Sequence, residues 1–452
     1  MIPVVTPDEM RAVDAAAPEA VEVLIERAGA ALARAAVRML GGTYGRRVVV
    51  VAGKGNNGAD GRAAARCLAH RGVAVTVTDA ATAPSVLPPS DLVIDAAYGT
   101  GFRGEWNSPD SAGAPVLAAD IPSGVDGLTG AAGAGVRPAT RTVTFAALKQ
   151  GLMFPPGSAL AGDVEVADIG LDASRAAAHL LERDDVARWL PVRPPESHKW
   201  RAALWVVAGS SGMLGSAHLA SRGAQRTGAG YVRLSSPGVT QDPMAPTEVV
   251  GRSLPSSLWS SDVLGDLGRF HALVVGPGLG RADTTATSAR EVIGHAPLPV
   301  VVDGDGLFAL AWSSDGAGAV LRSRPAPTVV TPHDGEYRLL CGSPPGPDRI
   351  AAARQLAAEL QCVVLLKGSA TVVTAADGPA LLVNTGDARL ATAGTGDVLS
   401  GIIGALLAQR MDPVQAAAVG AWLHGRAARL GPTRGLVAGD LPDLLPRVLA
   451  DL

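Results

Sequence analysis

One pattern runs the length of this chain. Short, unbroken β-branched and aliphatic runs recur, each separated from the next by a longer alanine-rich stretch with helical spacing. In the first half they are RVVVVA (47–52), VAVTVTD (73–79), DLVIDA (91–96), PVLAAD (115–120), RTVTFAA (141–147) and DVEVADI (163–169). Later come ALWVVAG (203–209), GYVRLSS (230–236), HALVVG (271–276), PVVVDG (299–304), PTVVT (327–331), CVVLLKG (362–368), ATVVT (370–374) and ALLVNT (380–385). Strands this apolar, alternating with helices, predict largely parallel sheets covered on both faces. The last three are spaced for antiparallel hairpins. Between 171 and 198 the pattern lapses into a short helix and a strap carrying Pro191, Pro194 and Pro195, which cannot donate to a ladder. With 452 residues and roughly 150 per domain, the expectation is α/β: two doubly wound three-layer α/β/α domains, residues 1–175 and 176–452.

Composition sharpens this. Only 4% of residues are aromatic while 55 are glycine, so the core must be built from small side chains and close helix–sheet approach. A net charge of −3 without a long basic run argues against nucleic-acid binding. Cys67, Cys341 and Cys362 are too scattered for a disulfide frame or zinc site. The N-terminal stretch has acids where a signal peptide is basic, and the most apolar helical stretch, VLSGIIGALLA, is about half a membrane span. No membrane association and a cytoplasmic location are expected. The small-residue helix at 20–40 suits either a subunit contact or a sheet-packing face, and a homo-oligomer is expected.

GKGNNG (53–58) fits G-x-G-x-x-G, after a strand and before a helix, with Asp79 where a ribose-binding acid would stand. A dehydrogenase fingerprint, however, puts no acid at the helix start. Asp60 reads as an anion in the turn, where a pyrophosphate would be repelled. Asn56 and Asn57 offer carbonyl oxygens and amide donors. Asn57, Asp95 at one strand end and Ser123 after another form an oxygen-only set suited to K⁺ or Na⁺; taken singly, each reads as a turn cap or strand end.

The segment ATAGTGDVLSGIIGALLAQ (391–409) carries most information. Gly394-Thr395-Gly396 lets backbone N–H groups meet a ligand at a helix N-terminus, which is an anion hole, and Asp397 sits in its mouth. GPGLGR (276–281), VVDGDGL with Asp303 and Asp305, VTPHDGE with His333 and Glu336, and LLKGSAT with Lys367 lie at further strand ends, where doubly wound sheets place their sites.

This set, with SHK (197–199), AGSSGMLGSAHLASRGAQRTGAGYVRL (208–234) and LLKGSATVV (365–373), resembles the NAD(P)H-hydrate dehydratase branch of the ribokinase-like superfamily over about 195–450. Asp334 stands where the family usually has proline, and the glycine after SHK is missing. Residues 1–170, with LIERAG (24–29), GKGNNGADG, DAAYGTGFRGE (95–105) and DIPSGVDG (120–127), resemble the NAD(P)H-hydrate epimerase domain. Ala59 replaces a usual glycine there and requires a negative φ. The resemblance implies a Rossmann-like N-terminal and a ribokinase-like C-terminal domain. It implies that Asn56, Asn57, Gly58, Ala59, Asp60, Gly99, Thr100, Gly101, Phe102, Arg103, Gly104, Glu105 and Asp120 bind the hydrate for epimerisation. Potassium would rest on Asn57, Asp95 and Ser123. Ala217, Gly280, His333 and Asp397 would contact the hydrate for dehydration, and Lys367, Gly368, Ser369, Ala370, Thr371 and Gly396 the nucleotide. Mg²⁺ and ADP as phosphoryl donor follow from the same resemblance.

Asp397 is the expected catalytic base for phosphoryl transfer and Asp120 the expected acid/base for epimerisation. Lys149 also ends a strand and could assist, although a solvated surface lysine is the expectation. The rival readings are a ribokinase-like small-molecule kinase with a non-catalytic N-terminal binding domain, and a dehydrogenase.

Overall fold

The computed structural model describes residues 1–314 and 316–452. Two compact units emerge, Ile2–His179 and Leu180–Leu452, the second including Met1.

In the first unit, six strands form a wholly parallel sheet: β1 (Arg47–Ala52), β2 (Ala74–Asp79), β3 (Leu92–Ala96), β4 (Val116–Ala119), β5 (Arg141–Phe145) and β6 (Asp163–Ala167), in the order 2-1-3-4-5-6. Each strand apart from the partly exposed β2 and β6 is buried because both faces are apolar. On one face Val48, Val50, Ile94, Leu117 and Val143 pack with helices α1 (Val21–Leu40) and α2 (Asn56–His70). On the other, Val49, Val51 and Val93 meet Leu87, Tyr98 and Trp106 of connecting segments. The strand order reverses at β1, which is the crevice where doubly wound sheets bind ligands. Helix α1 buries Ala28, Ala31, Leu32, Ala35 and Ala36, so its small residues serve packing within the unit. A Cβ on Gly29 would stand 2.3 Å from the Cβ of Ala63. A short strand, Ile2–Val5, pairs in parallel with Leu148–Lys149; both were invisible as strands in the sequence.

The second unit orders β9-β8-β7-β10-β11-β12-β13-β14-β15, where β7 is Ala203–Val207, β8 Tyr231–Ser235, β9 Val250–Gly251, β10 Ala272–Val275, β11 Val300–Val302, β12 Thr328–Val330, β13 Val363–Leu366, β14 Thr371–Thr374 and β15 Ala380–Val383. Pairing is parallel up to β13 and antiparallel for β13–β14–β15, as the spacing of the last three runs implies. Helices α3 (Leu214–Arg226), α4 (Thr395–Ala408) and α5 (Pro413–Leu430) share one core with this sheet. The lapse at 171–198 holds a helix, Arg183–Trp189, but also an extended segment, Ala178–Leu180. Among the described residues, no helix is long and apolar enough to cross a membrane.

Glycine sets how closely α3 and α4 approach. A Cβ on Gly401 would stand 1.9 Å from the Ala220 carbonyl oxygen, and one on Gly223 2.6 Å from that of Val398. Backbone against backbone leaves no room for a methyl group. Gly401→Ala should therefore destabilise the second unit by at least about 1–3 kcal/mol, the usual cost of overpacking, as read by urea denaturation. An unchanged midpoint would refute this packing.

Candidate functional site

In the first unit the loop after β1 and the start of α2 wall a cavity of ≈ 790 Å³. The loop is glycine by necessity: a Cβ on Gly53 would lie 1.9 Å from the Ala97 carbonyl oxygen, and one on Gly58 1.9 Å from that of Gly53. Asn56, Asn57, Asp60, Gly99, Thr100, Gly101, Phe102 and Asp120 line this cavity, as does Asp79. Gly58, Ala59, Arg103, Gly104 and Glu105 lie outside its wall; Arg103 is largely exposed and donates to the Thr100 and Phe102 carbonyls. Ala59 lies inside α2, so its backbone is helical and the replacement of glycine is accommodated. Asp79 ends β2 and accepts from the Ala81 N–H at 2.9 Å.

Asp120 ends β4 with φ +65°, a left-handed conformation uncommon outside glycine. Its carboxylate is gripped by Lys149 at 2.6 Å. Lys149 is 2% exposed and also donates to Thr144 Oγ1 (3.0 Å) and the Phe145 carbonyl (2.9 Å). The expected surface lysine is therefore the buried counter-ion of Asp120, because the two-residue strand after β5 turns it inward. Asp60 also departs from expectation. It lies within α2 rather than in the turn, and burial, with Asp120 and Asp14 nearby, pushes its carboxyl up to about 8. At neutral pH burial therefore favours its uncharged form. Burial, opposed by Lys149 and reinforced by Asp120, raises Asp14 as well. Asp14 had no local signal in the sequence; only folding brings Pro7–Ala15 to this cavity.

Asp95 lies half-buried at the end of β3. It accepts from Ser123 Oγ (2.6 Å) and Ser123 N–H (2.9 Å), and burial raises its pKa despite these bonds. Ser123 Oγ in turn accepts from the Tyr98 N–H at 2.9 Å. Asn57 packs on Gly99, and both its Oδ1 and Nδ2 are buried without a hydrogen-bond partner. Each such orphan costs about 1–3 kcal/mol, so this amide fits a bound ligand or cation. Among the described residues no group of three His, Cys, Asp or Glu could hold a metal. A cation here would meet carboxylate, hydroxyl and amide oxygens.

In the second unit the polar groups gather past the carboxyl ends of β7, β10, β11, β12 and β13. Asp303, after β11, is buried and pairs with Lys367 Nζ at 2.7 Å; Ser400 of α4 donates to its other oxygen at 2.7 Å. Burial works against the Asp303 charge, but Lys367, Ser400 and Thr331 hold its pKa below the usual value. Burial likewise opposes the Lys367 charge, yet Asp303, Glu336 and Asp397 together raise its pKa. Glu336, 3.9 Å from Lys367, is pushed up by burial.

Asp397 stands in the first turn of α4, behind Gly394 with φ +91°. It bonds the Ser216 side chain, and burial, reinforced by Asp303 and Asp305, lifts its carboxyl to about 6. Asp305 accepts from the Gly280 N–H (2.8 Å) and Arg281 Nε (2.9 Å), fixing the GPGLGR loop. Ala217 is fully buried under Gly209.

A cavity of ≈ 990 Å³ is walled by His333, Lys367, Gly368, Ser369, Thr371 and Gly396. Ala370 is buried and can offer only backbone. His333 Nδ1 caps its own helix, accepting from the Gly335 (3.0 Å) and Glu336 (3.1 Å) N–H groups. Asp334, which replaces the family's proline, pairs with Arg349, and Arg349 also bonds the Lys367 carbonyl at 2.8 Å. His424 joins this wall and was missed from sequence, being a lone histidine in an alanine-rich helix. Burial drives its pKa down to about 4, and its Nε2 has no partner.

These features define a ribokinase-like α/β class with a glycine-led helix start at the site. The fold of a ribokinase-like protein from Enterococcus faecalis matches 61% of this chain and 96% of that one (TM-score 0.53, 21% identity). The family model for NAD(P)H-hydrate dehydratase matches residues 204–450, and that for the YjeF-related protein N-terminus matches 21–86 and 78–151. The bifunctional NAD(P)H-hydrate repair enzyme Nnr of Moorella thermoacetica is 37% identical, over 95% of this chain and 92% of that protein; its Escherichia coli counterpart is 33% identical, over 89% and 85%. An ADP/ATP-dependent NAD(P)H-hydrate dehydratase from Bacillus subtilis, co-crystallised with ATP/Mg²⁺, matches 60% of this chain and 97% of its own (TM-score 0.53, 32% identity). The chain belongs to the family of bifunctional NAD(P)H-hydrate repair enzymes.

Asp60 binds its proton more tightly folded than unfolded, so its contribution to stability falls as pH rises from about 4 towards about 8. Asp60→Asn should raise the Tm of the first unit at pH 8–9 and change it little at pH 4. Equal shifts at both pH values would contradict the buried, protonated assignment.

Proposed function

We infer that this chain repairs hydrated nicotinamide cofactors with two activities. The first unit interconverts the R and S hydrates. The second dehydrates the S form to NAD(P)H while consuming ADP. The observation that carries this reading is the division of space at the start of α4. Gly396 faces the large cavity on the Lys367 side, whereas Asp397 bonds Ser216, whose Cβ lies 2.9 Å from where a Cβ on Gly278 would stand. A donor on one side and an acceptor alcohol on the other would meet at this helix start.

Hydroxide is a poor leaving group and phosphate a good one. Asp397, ionised above about pH 6, takes the proton of the hydrate's hydroxyl as that oxygen receives the terminal phosphoryl group. Lys367 and the Gly394–Gly396 amides stabilise the charge on the transferring group. The C–O bond then breaks, phosphate leaves with the hydroxyl oxygen, and a proton is lost from the neighbouring ring carbon, which restores the double bond. We assign the nucleotide to Lys367, Gly368, Ser369, Ala370 (through its backbone), Thr371 and Gly396, and the hydrate to Gly280 and Asp397; His333, expected on the hydrate, lines the donor-side cavity instead, and Ala217, also expected there, is fully buried and would only support the floor of the site. Mg²⁺ would neutralise donor phosphates and needs few protein ligands.

In the first unit Asp120 moves the proton of the hydrated carbon's hydroxyl or ring, and Lys149 fixes its orientation. Asn57, Asp95 and Ser123 fit potassium, which would supply the counter-charge that Asp95 lacks among the described residues. The domain limits we adopt are 1–175 and 176–452, close to the division between His179 and Leu180.

Asp397→Asn should cut dehydration by roughly 10²–10⁴-fold, and wild-type kcat/KM should fall below about pH 6 as Asp397 protonates. Recovery of absorbance from purified S hydrate with ADP and Mg²⁺ measures both; an Asn variant as fast as wild type refutes the role. Lys149→Met should leave the R fraction of a mixed hydrate unconsumed while S-hydrate dehydration proceeds at the wild-type rate. Full consumption of both isomers would remove Lys149 from the mechanism.

A further inference from the structure

The SHK motif finds no place in either reaction. Ser197 and His198 instead line a separate hollow of ≈ 560 Å³ in the second unit. It lies at the amino ends of β7, β8 and β10, marked by Ala202, Gly230 and His271. The groups of the dehydration site follow the carboxyl ends of the same sheet. Helix α4 links the two ends. Asp397 is in its first turn and Arg410 lies two residues past its last, about 20 Å apart at 1.5 Å per residue.

The lining is one-sided in charge. Arg193, Arg201, Arg269 and Arg410 contribute guanidinium groups, His198 and His271 imidazoles, and no Asp or Glu is among the lining residues. In a chain carrying 42 acids to 39 bases, four arginines around one hollow are not a sample of the average surface. Nor are they neutralised nearby. Arg193 donates to the Gly228 carbonyl at 2.8 Å. Arg201 has Glu196 only at 3.9 Å. Arg269 lies over the Trp200 ring at 5.1 Å. Arg410 has no ion pair among the described residues. Ser197 Oγ is buried in this wall without a hydrogen-bond partner. A helix C-terminus attracts cations, which accounts for Arg410 but not for three arginines on other segments. His271 feels the excess: burial and then Arg410 hold its pKa below the usual value.

We propose that this hollow is a second anion site, which binds a di- or triphosphate group, free or carried by a nucleotide, at the opposite end of the sheet from the phosphoryl-transfer centre. Guanidinium forks bind phosphate oxygens in bidentate fashion. A pyrophosphate, with about three negative charges, balances most of the four positive charges, which a single carboxylate cannot. The volume lies within the roughly 300–1,000 Å³ of small-molecule pockets.

The test is calorimetric titration of the full-length chain with inorganic pyrophosphate and, separately, with ADP, for wild type and for Arg269→Gln/Arg410→Gln. The wild type should bind two equivalents of ADP and the variant one, with S-hydrate dehydration at saturating ADP kept within about twofold. If the phosphate chain alone is recognised, pyrophosphate binding also weakens at least tenfold in the variant. If only the ADP stoichiometry changes, the ligand is the nucleotide. Exposed Arg201→Glu, which disturbs no packing, should reproduce the loss should the double variant fold poorly. One ADP equivalent in every protein, with pyrophosphate binding untouched by either substitution, overturns the proposal.

Discussion

The second unit turns on one ion pair. Buried Asp303 meets Lys367, which is partly open to the large cavity, at 2.7 Å, and an Asp303 charge left alone there would cost several kcal/mol. The pair is tolerable because Ser400 and Thr331 satisfy the remaining Asp303 valences, and because Arg349 ties the Lys367 backbone to Asp334. It thereby pins the ends of β11 and β13 to the first turns of α4. Asp397 then experiences Asp303 and Asp305 as like charges and Lys367 as an opposite one. Burial is the largest cause, and with these charges it brings the Asp397 carboxyl to about 6, close to where a general base at neutral pH works best.

The first unit uses the same device with a different outcome. There the buried lysine grips the candidate acid itself: Lys149 holds Asp120 at 2.6 Å, and Asp60 gives up its charge instead. In the second unit the lysine binds a supporting acid and leaves Asp397 one partner removed. On the proposed reading, an acid/base held in one orientation by a buried lysine suits a reversible epimerisation. A lone base beside an anion hole suits irreversible phosphoryl transfer. The folded scaffolds permit both because helices approach through glycine and alanine, so strand ends stay open rather than being filled by large side chains.

Much of this was legible in the sequence because it rests on local signals. Apolar runs marked the main strands, and Gly394–Asp397 announced a helix start. Lys149 and Asp60 were misread because burial is not local: a two-residue strand turns one inward, and a helix begins four residues before the other. Asp14 and His424 carried no neighbouring pattern and became visible only when distant segments closed around a cavity. The G-x-G-x-x-G match was real as geometry, since Gly53 and Gly58 are sterically required where the loop meets Ala97 and folds on itself, but it stands in a sheet of order 2-1-3-4-5-6 rather than the 3-2-1-4-5-6 arrangement of the dehydrogenase fold.

The central claim is chemical: the alcohol oxygen of the hydrate is converted to a phosphate ester before the carbon–oxygen bond breaks. Hydrate labelled with ¹⁸O in that hydroxyl, turned over once with unlabelled ADP in unlabelled water, decides it by mass spectrometry. The account predicts the label in inorganic phosphate. Label released as water, with phosphate unlabelled, would mean that nucleotide cleavage and dehydration are separate events and that the role given to Asp397 is wrong.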